Sequence, residues 1–282
     1  VAATVSSSSY GTMSNNGVGG LIGSITLSND LTGSITSAFS NATVSGSQAG
    51  QTMSSGGLIG IVIGSTTSTF SISSAGATGS ASATQGTTGG SIGAINVTAG
   101  TYNLDIVSAS GSSSASGDSG GLIGNINATT GSVVNVSKSY ATGSSTTALN
   151  AYSGGLVGSI YSSASTVTIS NSYAQGSATA TIGAAASFNG FSQLANAGTV
   201  TFQQCYGTGL VTGATANGFT GGATATTTQC YYDSTTTTMG SDAATATGQN
   251  TAAMKNSASY AAGWNFAATW NIVNGVTYPY LR

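Results

Sequence analysis

The chain has 282 residues, with 3 Lys or Arg, 5 acids that are all Asp, no His, one Pro and 43 Gly, and charged residues make up 3 % of it, against roughly a quarter in an ordinary soluble domain. Salt bridges and charge steering are thereby excluded as organising forces. Instead 48 Ser and 44 Thr supply hydroxyls, and a net charge of -2 leaves little repulsion between copies.

Hydrophobic residues at 39 % suffice for a core, which argues against a disordered linker. They come in short runs, far below the roughly 20 consecutive apolar residues of a membrane span. Val1-Ala2-Ala3 reads as a mature end left by signal-peptide removal, although a truncated chain would read the same. Two Cys fit an oxidising compartment.

Along the chain GGLIG stands at 19–23 and 56–60, GGSIG at 89–93, GGLIG at 120–124 and GGLVG at 154–158, with starts 37, 33, 31 and 34 residues apart. Weaker copies, NGFSQ from Asn189 and NGFTG from Asn217, continue the series. Such a period signals stacked units, about eight of them. Between the glycine motifs lie runs such as IVIG, TYNLDIV, SVVNVS, TVTIS and TVTFQQ, whose alternation and β-branching read as strand. The units are too poor in Leu, Glu and Lys for a helical repeat. The prediction is an all-β, right-handed parallel β-solenoid over residues 1–249, one coil per unit, with its hand taken from the general rule for parallel crossovers and Gly pairs as positive-φ corners. Leu21, Ile22, Leu58, Ile59, Ile92, Leu122, Ile123, Leu156 and Val157 then point inward as ladders, each coil burying its core only against its neighbours.

A second motif lies halfway between the first, as in VSKSYATGS at 136–144, ISNSYAQGS at 169–177, FQQCYGTGL at 202–210 and TTQCYYDST at 227–235. Its alignment places Tyr10, Phe39, Gly76, Gly111, Tyr140, Tyr173, Tyr206 and Tyr231 in one column, with Cys205 and Cys230 adjacent in the column before it. Strands about 4.8 Å apart lie within disulfide range; stacked thiols would pack as well, so both states are open.

From residue 250 to the end the composition changes. Ala252 to Lys255 suits a helical turn, Asn274-Gly275 suits a hairpin, and Trp264, Phe266, Trp270, Tyr278 and Tyr280 crowd together. This aromatic segment is predicted to cap the open edge of the last coil or to dock another molecule.

GGLIG or GGLVG followed by a strand and then SYATG or SYAQG resembles the GLUG repeat of secreted bacterial surface proteins, adhesins among them. The tail CYYDSTTTTMG, then GWNFAATWNIVNGVTYPYLR, is similar to the segment that closes such arrays. The resemblance covers nearly the whole chain, and it implies an extracellular β-helical stalk with no catalytic residues to carry over.

Chemistry is sparse. Gly117-Asp118-Ser119-Gly120-Gly121 spells the surroundings of a trypsin-like serine, but the chain has no His to take the proton. Glycoside hydrolysis needs two carboxylates across one bond, and Asp30, Asp105, Asp118, Asp233 and Asp242 are scattered over different units. Zinc sets are excluded, a weak Ca²⁺ on an isolated Asp is not, and nucleic acid is opposed by the shortage of basic residues. Four sequons, the first at Asn41, are as many as chance supplies.

The expected function is therefore non-enzymatic, with no cofactor. It is a secreted, extracellular fibre subunit stacking end to end on copies of itself, with Trp264, Trp270, Tyr278 and Tyr280 of one copy meeting Val5 and Tyr10 of the next. Two alternatives stand beside it. One is a monomeric adhesive stalk or tip that binds surface glycans. The other is an ice-binding face built from Thr166 with Thr168, Thr199 with Thr201, and Thr224 with Thr226.

Overall fold

In the computed structural model, residues 4–7, 16–28, 30–47, 52–65, 67–222 and 224–282 are described. The chain winds into a parallel β-solenoid of about six turns. Four sheets run along the axis and each circuit visits them in order. The first sheet holds seven strands, from Thr4–Ser7 and Thr43–Gly46 to Val211–Thr212, and the second seven, from Asn16–Gly19 to Thr215–Asn217. Six strands from Ile22–Leu27 to Asn189–Ala195 form the third sheet. The fourth has thirteen, because most of its circuits contribute two short strands across a bend, such as Val133–Ser137 and Tyr140–Ala141.

Eight coils are expected from the motifs and about six turns are present: the third sheet holds six strands, and the last unit, which gives Val211–Thr212 and Thr215–Asn217 to the first two sheets, adds none to it. The strong repeats pair in the register of their spacing: Ile22 with Ile59, Ile59 with Ile92, Ile92 with Ile123, and Ile123 with Val157. The degenerate copy is displaced. Gly154 pairs with Ala186 and Val157 with Asn189, so the sixth copy is Ala186-Ser187-Phe188-Asn189-Gly190 and not the segment starting at Asn189. Likewise Ser108, not Gly111, pairs with both Gly76 and Tyr140. Both slips come from letting a polar-plus-Gly pair stand in for a column that the backbone ladder assigns to a neighbour.

The glycine motif works by close approach and not by positive φ. A Cβ on Gly56 would lie 2.0 Å from the Ile59 carbonyl oxygen, one on Gly60 2.3 Å from the Val18 nitrogen, and one on Gly57 2.2 Å from the Gly90 oxygen of the next turn. The first and fifth residues of GGLIG thus face each other across a sharp concave bend between the second and third sheets. The Leu and Ile between them enter the core. Left-handed corners fall elsewhere, on Ser37, Ser74, Ile106, Lys138, Asn171, Gln204 and Gln229, all with φ between 46 and 57°. They form one column at the bend of the fourth sheet. Asn adopts this region readily, and a β-branched residue such as Ile106 does so only under strain.

The core has two parts. Between the third and fourth sheets lie apolar ladders: Leu58, Leu122, Leu156 and Phe188, and Ile72, Leu104, Val136, Ile169 and Phe202, all at most 2 % exposed. Between the first and second sheets the interior is filled mostly by Ser, Thr and Ala, with Val18, Val44 and Met53 near one end and Val211 near the other. There Ser113 and Ser119 hydroxyls meet at 2.9 Å and those of Ser145 and Ser153 at 2.8 Å, so these buried hydroxyls satisfy each other, while those of Ser55, Thr88 and Thr147 have no partner among the described residues.

Of the predicted inward ladder, Leu58, Ile59, Ile92, Leu122, Ile123, Leu156 and Val157 are fully buried. Ile22 is only half-buried and Leu21 is 55 % exposed, because both sit in the first turn, where no described turn covers their outer side. Cys205 and Cys230 are buried neighbours with free thiols. They occupy the column of Ser139 and Ser172, whose hydroxyls donate to the carbonyl two residues back; Cys205 Sγ donates to Gln203 O at 3.3 Å and Cys230 Sγ to Thr228 O at 3.5 Å. In this structure the pair packs as small side chains in a ladder.

Candidate functional site

The aromatic tail lies along the flank of the stack and not across its end. After an α-helix at Thr251–Met254, capped by Asn250, the chain forms an antiparallel pair, Trp270–Asn271 with Tyr280–Leu281, closed by a loop in which Gly275 has φ 77°. Trp264 and Trp270 are 4 % and 0 % exposed. They pack on a ladder of tyrosines in which Tyr140, Tyr173 and Tyr206 stack at 5.0 and 5.2 Å between centroids, nearly parallel. Trp270 Nε1 donates to Asn171 Oδ1 and Trp264 Nε1 to Gln229 O, while Tyr206 Oη donates to Pro279 O. Tyr231 leaves the stack and packs edge-on to Tyr260.

Asp233, wholly buried, ties this segment to the last rungs. One carboxylate oxygen accepts from Thr251 Oγ1 at 2.7 Å and Tyr278 Oη at 2.6 Å, the other from the backbone of Thr235 and Thr236. Burial, then this bond, pushes the Tyr278 hydroxyl up to about 12. Trp264, Trp270 and Tyr278 are therefore spent within the chain. As assembly surfaces they are corrected, and of the four only Tyr280 is exposed.

At the C-terminal end a different segment, residues 234–246, takes up part of the last rung, although Val211–Thr212, Thr215–Asn217 and Thr226–Thr228 each still pair with one strand only. Asp242 Oδ1 accepts the backbone N–H groups of Phe219 and Thr220 at 2.9 and 2.7 Å, Ser241 O accepts from Gly218, Thr237 O accepts from Val211, and Met239 packs on the core. Burial raises the Asp242 carboxyl above its ordinary value, against the pull of these donors.

The N-terminal end is open among the described residues. Asn16–Gly19, Ile22–Leu27, Thr32–Thr36 and Phe39–Ser40 each pair on one side only. Leu21, Leu31 and Phe39 are 55, 50 and 71 % exposed, and Ile22, Ile25 and Ile35 are half-buried. Phe39 pairs with Gly76 as the alignment requires, but Gly76 and Ser108 carry no ring, so Phe39 is cut off from the tyrosine ladder. Tyr10 lies outside the described residues, and Val5 pairs with Val44.

One site is almost hidden from sequence reading. On the outside of the concave bend lies an open groove of about 820 Å³, floored by the third sheet and walled by the loops that lead into the second. At its centre Asp118 accepts from Tyr152 N at 3.1 Å and from Ser159 Oγ, and Asn125 Nδ2 donates to Ser159 Oγ at 2.8 Å. Burial raises the Asp118 carboxyl, and these donors oppose the rise. Asn96, Asn127 and Tyr161 stand in register along the groove. The one signal for it in the sequence is Asp118 itself, in a motif whose protease reading fails for want of His.

No protein-family model, no curated protein and no solved structure matches this chain. Among the described residues no group of three metal-ligating side chains is gathered, and no helix is long and apolar enough to cross a membrane.

Proposed function

We propose that the chain is a structural subunit of an extracellular fibre, a right-handed solenoid that stacks end to end on copies of itself. The observation that carries this reading is the first turn, whose strand edges are unpaired among the described residues and whose Leu21, Leu31 and Phe39 face solvent. An edge of that kind is a template for pairing. The complementary surface is the closing segment 234–246 of the next copy, which presents Thr235, Thr236, Thr238 and Ser241, with the one acid there, Asp242, engaged with backbone donors. Both ends are then nearly free of charge, which favours association. A head-to-tail contact of unlike ends propagates as a filament. The GLUG resemblance and the Ser/Thr-rich composition support secretion and a surface role.

Electron microscopy of the purified chain tests it. Filaments with a subunit rise near 30 Å, about six layers of about 4.8 Å, are expected, and Leu21→Asp with Phe39→Asp should abolish them while leaving a folded monomer. Rods that stay single at high concentration would overturn the fibre.

A second reading, ice binding, is favoured by the outer face of the fourth sheet. There Thr32, Thr69, Thr101, Thr166 and Thr199 form one rank, broken by Val133, and Ser71, Asn103, Asn135, Thr168 and Thr201 form the next. Ice-recrystallisation inhibition that is lost in Thr168→Tyr would support it, and no inhibition would remove it.

A further inference from the structure

We propose that the concave groove centred on Asp118 is a binding site for neutral oligosaccharides. The inference is independent of the fibre reading, because the groove lies on the flank and neither end contributes to its centre.

Its size comes first. A volume of about 820 Å³ lies within the range of roughly 300 to 1,000 Å³ that small-ligand sites occupy. The groove is elongated along the solenoid axis: its lining comes from five successive circuits, entering at Asn16, Ser54, Thr87, Asp118 and Tyr152. At about 4.8 Å per turn it suits a linear chain of several sugar units better than a compact metabolite.

Its chemistry narrows the ligand. Asn96 and Asn127 point out of adjacent strands in register, and Tyr161 follows them in the same rank. This presents an amide, an amide and a phenol at strand spacing. Each amide offers both a donor and an acceptor, which matches vicinal hydroxyls. Tyr161 and Tyr152 supply rings for the apolar face of a sugar, each with a polar tip. No Lys or Arg lines the groove, so uronic acids, sialic acids and phosphates would meet a carboxylate with nothing to offset it.

The centre is pre-organised. Asp118 is held by a backbone N–H and by Ser159, and Ser159 is held in turn by Asn125, so little side-chain freedom is lost when a ligand arrives. Asp118 is also the only carboxylate in the groove, which suits binding and leaves hydrolysis without its second acid.

The site exists because of the glycine motif. The bend is concave only where both flanking glycines lack a Cβ: one on Gly124 would fall 2.4 Å from Gly93 O and 2.6 Å from Thr88 O. The residues that make the repeat visible therefore also open the groove.

The test is binding of the purified chain to an immobilised panel of neutral oligosaccharides of three to six units, built from glucose, galactose, mannose and N-acetylglucosamine. The same panel should carry acidic glycans. At least one neutral oligosaccharide is expected to bind. Asn127→Ala, at an exposed side chain, and Tyr161→Ala should each weaken binding at least tenfold, and Asp118→Asn should weaken it as well. Thr168→Ala, on a different sheet, should leave it unchanged. Melting curves establish that the variants are folded; if Asp118→Asn fails to fold, Asn127→Ala decides alone. Absence of binding to every neutral probe, preference for acidic ones, or binding unaffected by Asn127→Ala would each overturn the assignment.

Discussion

The two ends of the solenoid carry the same repeat and are finished in opposite ways. At the N-terminal end Leu21 is 55 % exposed, and one turn further on its counterpart Leu58 is 0 % exposed. At the C-terminal end several of the last backbone donors are taken up by residues 234–246, and the tail from Asn250 buries the tyrosine ladder down to Asn171. A repeat by itself therefore has no end. Cover comes from segments outside the period, and among the described residues it is provided in part by residues 234–246 and the tail, at one end.

Deleting residues 250–282 should give the largest effect. Trp264, Trp270, Met254 and Tyr260 are all buried, and at about 1.5 to 3 kcal/mol for each large side chain the loss is about 6 kcal/mol or more. In a stack where each turn touches only its neighbours the damage stays local. Hydrogen exchange should accelerate from Asn171 onward and remain slow near Ile59 and Ile92. Uniform loss of protection would show that the tail supports the whole array. Asp233→Ala is the finer cut, at about 3 kcal/mol for several buried donors left without an acceptor.

Leu58→Ala against Leu21→Ala compares the two sides of the open end directly. The buried residue should cost about 2 to 5 kcal/mol and the exposed one within about 0.5 kcal/mol, read from urea midpoints of the monomer. If Leu21→Ala costs as much as Leu58→Ala, the first turn is covered in solution, and the contrast between the ends disappears.

Alkaline pH should loosen one end before the other. Burial raises the hydroxyls of Tyr173, Tyr206 and Tyr260 above the ordinary value of 10.0, and nearby tyrosines add to the rise. A folded pKa above the unfolded one gives a contribution that is complete below pH 10 and is lost as pH rises through the raised value. Between pH 10 and the raised value each such tyrosine withdraws up to about 1.4 kcal/mol per pH unit, the most for wholly buried Tyr206. The clad flank should open first, seen as tyrosinate absorbance appearing together with fast exchange around Tyr206 while the turns near Ile59 stay protected. Simultaneous opening of both regions would contradict the local coupling.

Much of this was legible in the sequence, for physical reasons that differ by region. GGLIG betrays the solenoid because its glycines answer to backbone contacts that recur every turn, and the tyrosine ladder betrays itself because stacked rings need the same residue in successive coils. The sixth repeat begins three residues before the segment that the motif suggests, because Phe188 fills the leucine column and Asn189-Gly190 imitates the glycine pair. The density of Trp and Tyr after Asn250 announces burial but not against which surface. The groove is hard to see in the sequence because Asn96, Asn127 and Tyr161 come from three successive turns, and none stands out until the register brings them together beside Asp118.

A small gain in stability is predicted at the corner column, where sequence and backbone disagree within the repeat itself. Asn171, at φ 48°, is the residue type best suited to that conformation, whereas Ile106, at φ 57° and 46 % exposed, is among the least. The left-handed region costs a β-branched residue roughly 1 to 2 kcal/mol, and the stacking of neighbouring turns holds Ile106 there regardless. Ile106→Asn should recover about 1 kcal/mol and raise the melting temperature by about 2 °C, since little of the side chain is buried. Asn171→Ile should cost a similar amount, and more if loss of its bond to Trp270 also frees the tail. An unchanged melting temperature in Ile106→Asn would mean that the isoleucine is held by contacts along the rank, and that corner strain does not limit the stability of the stack.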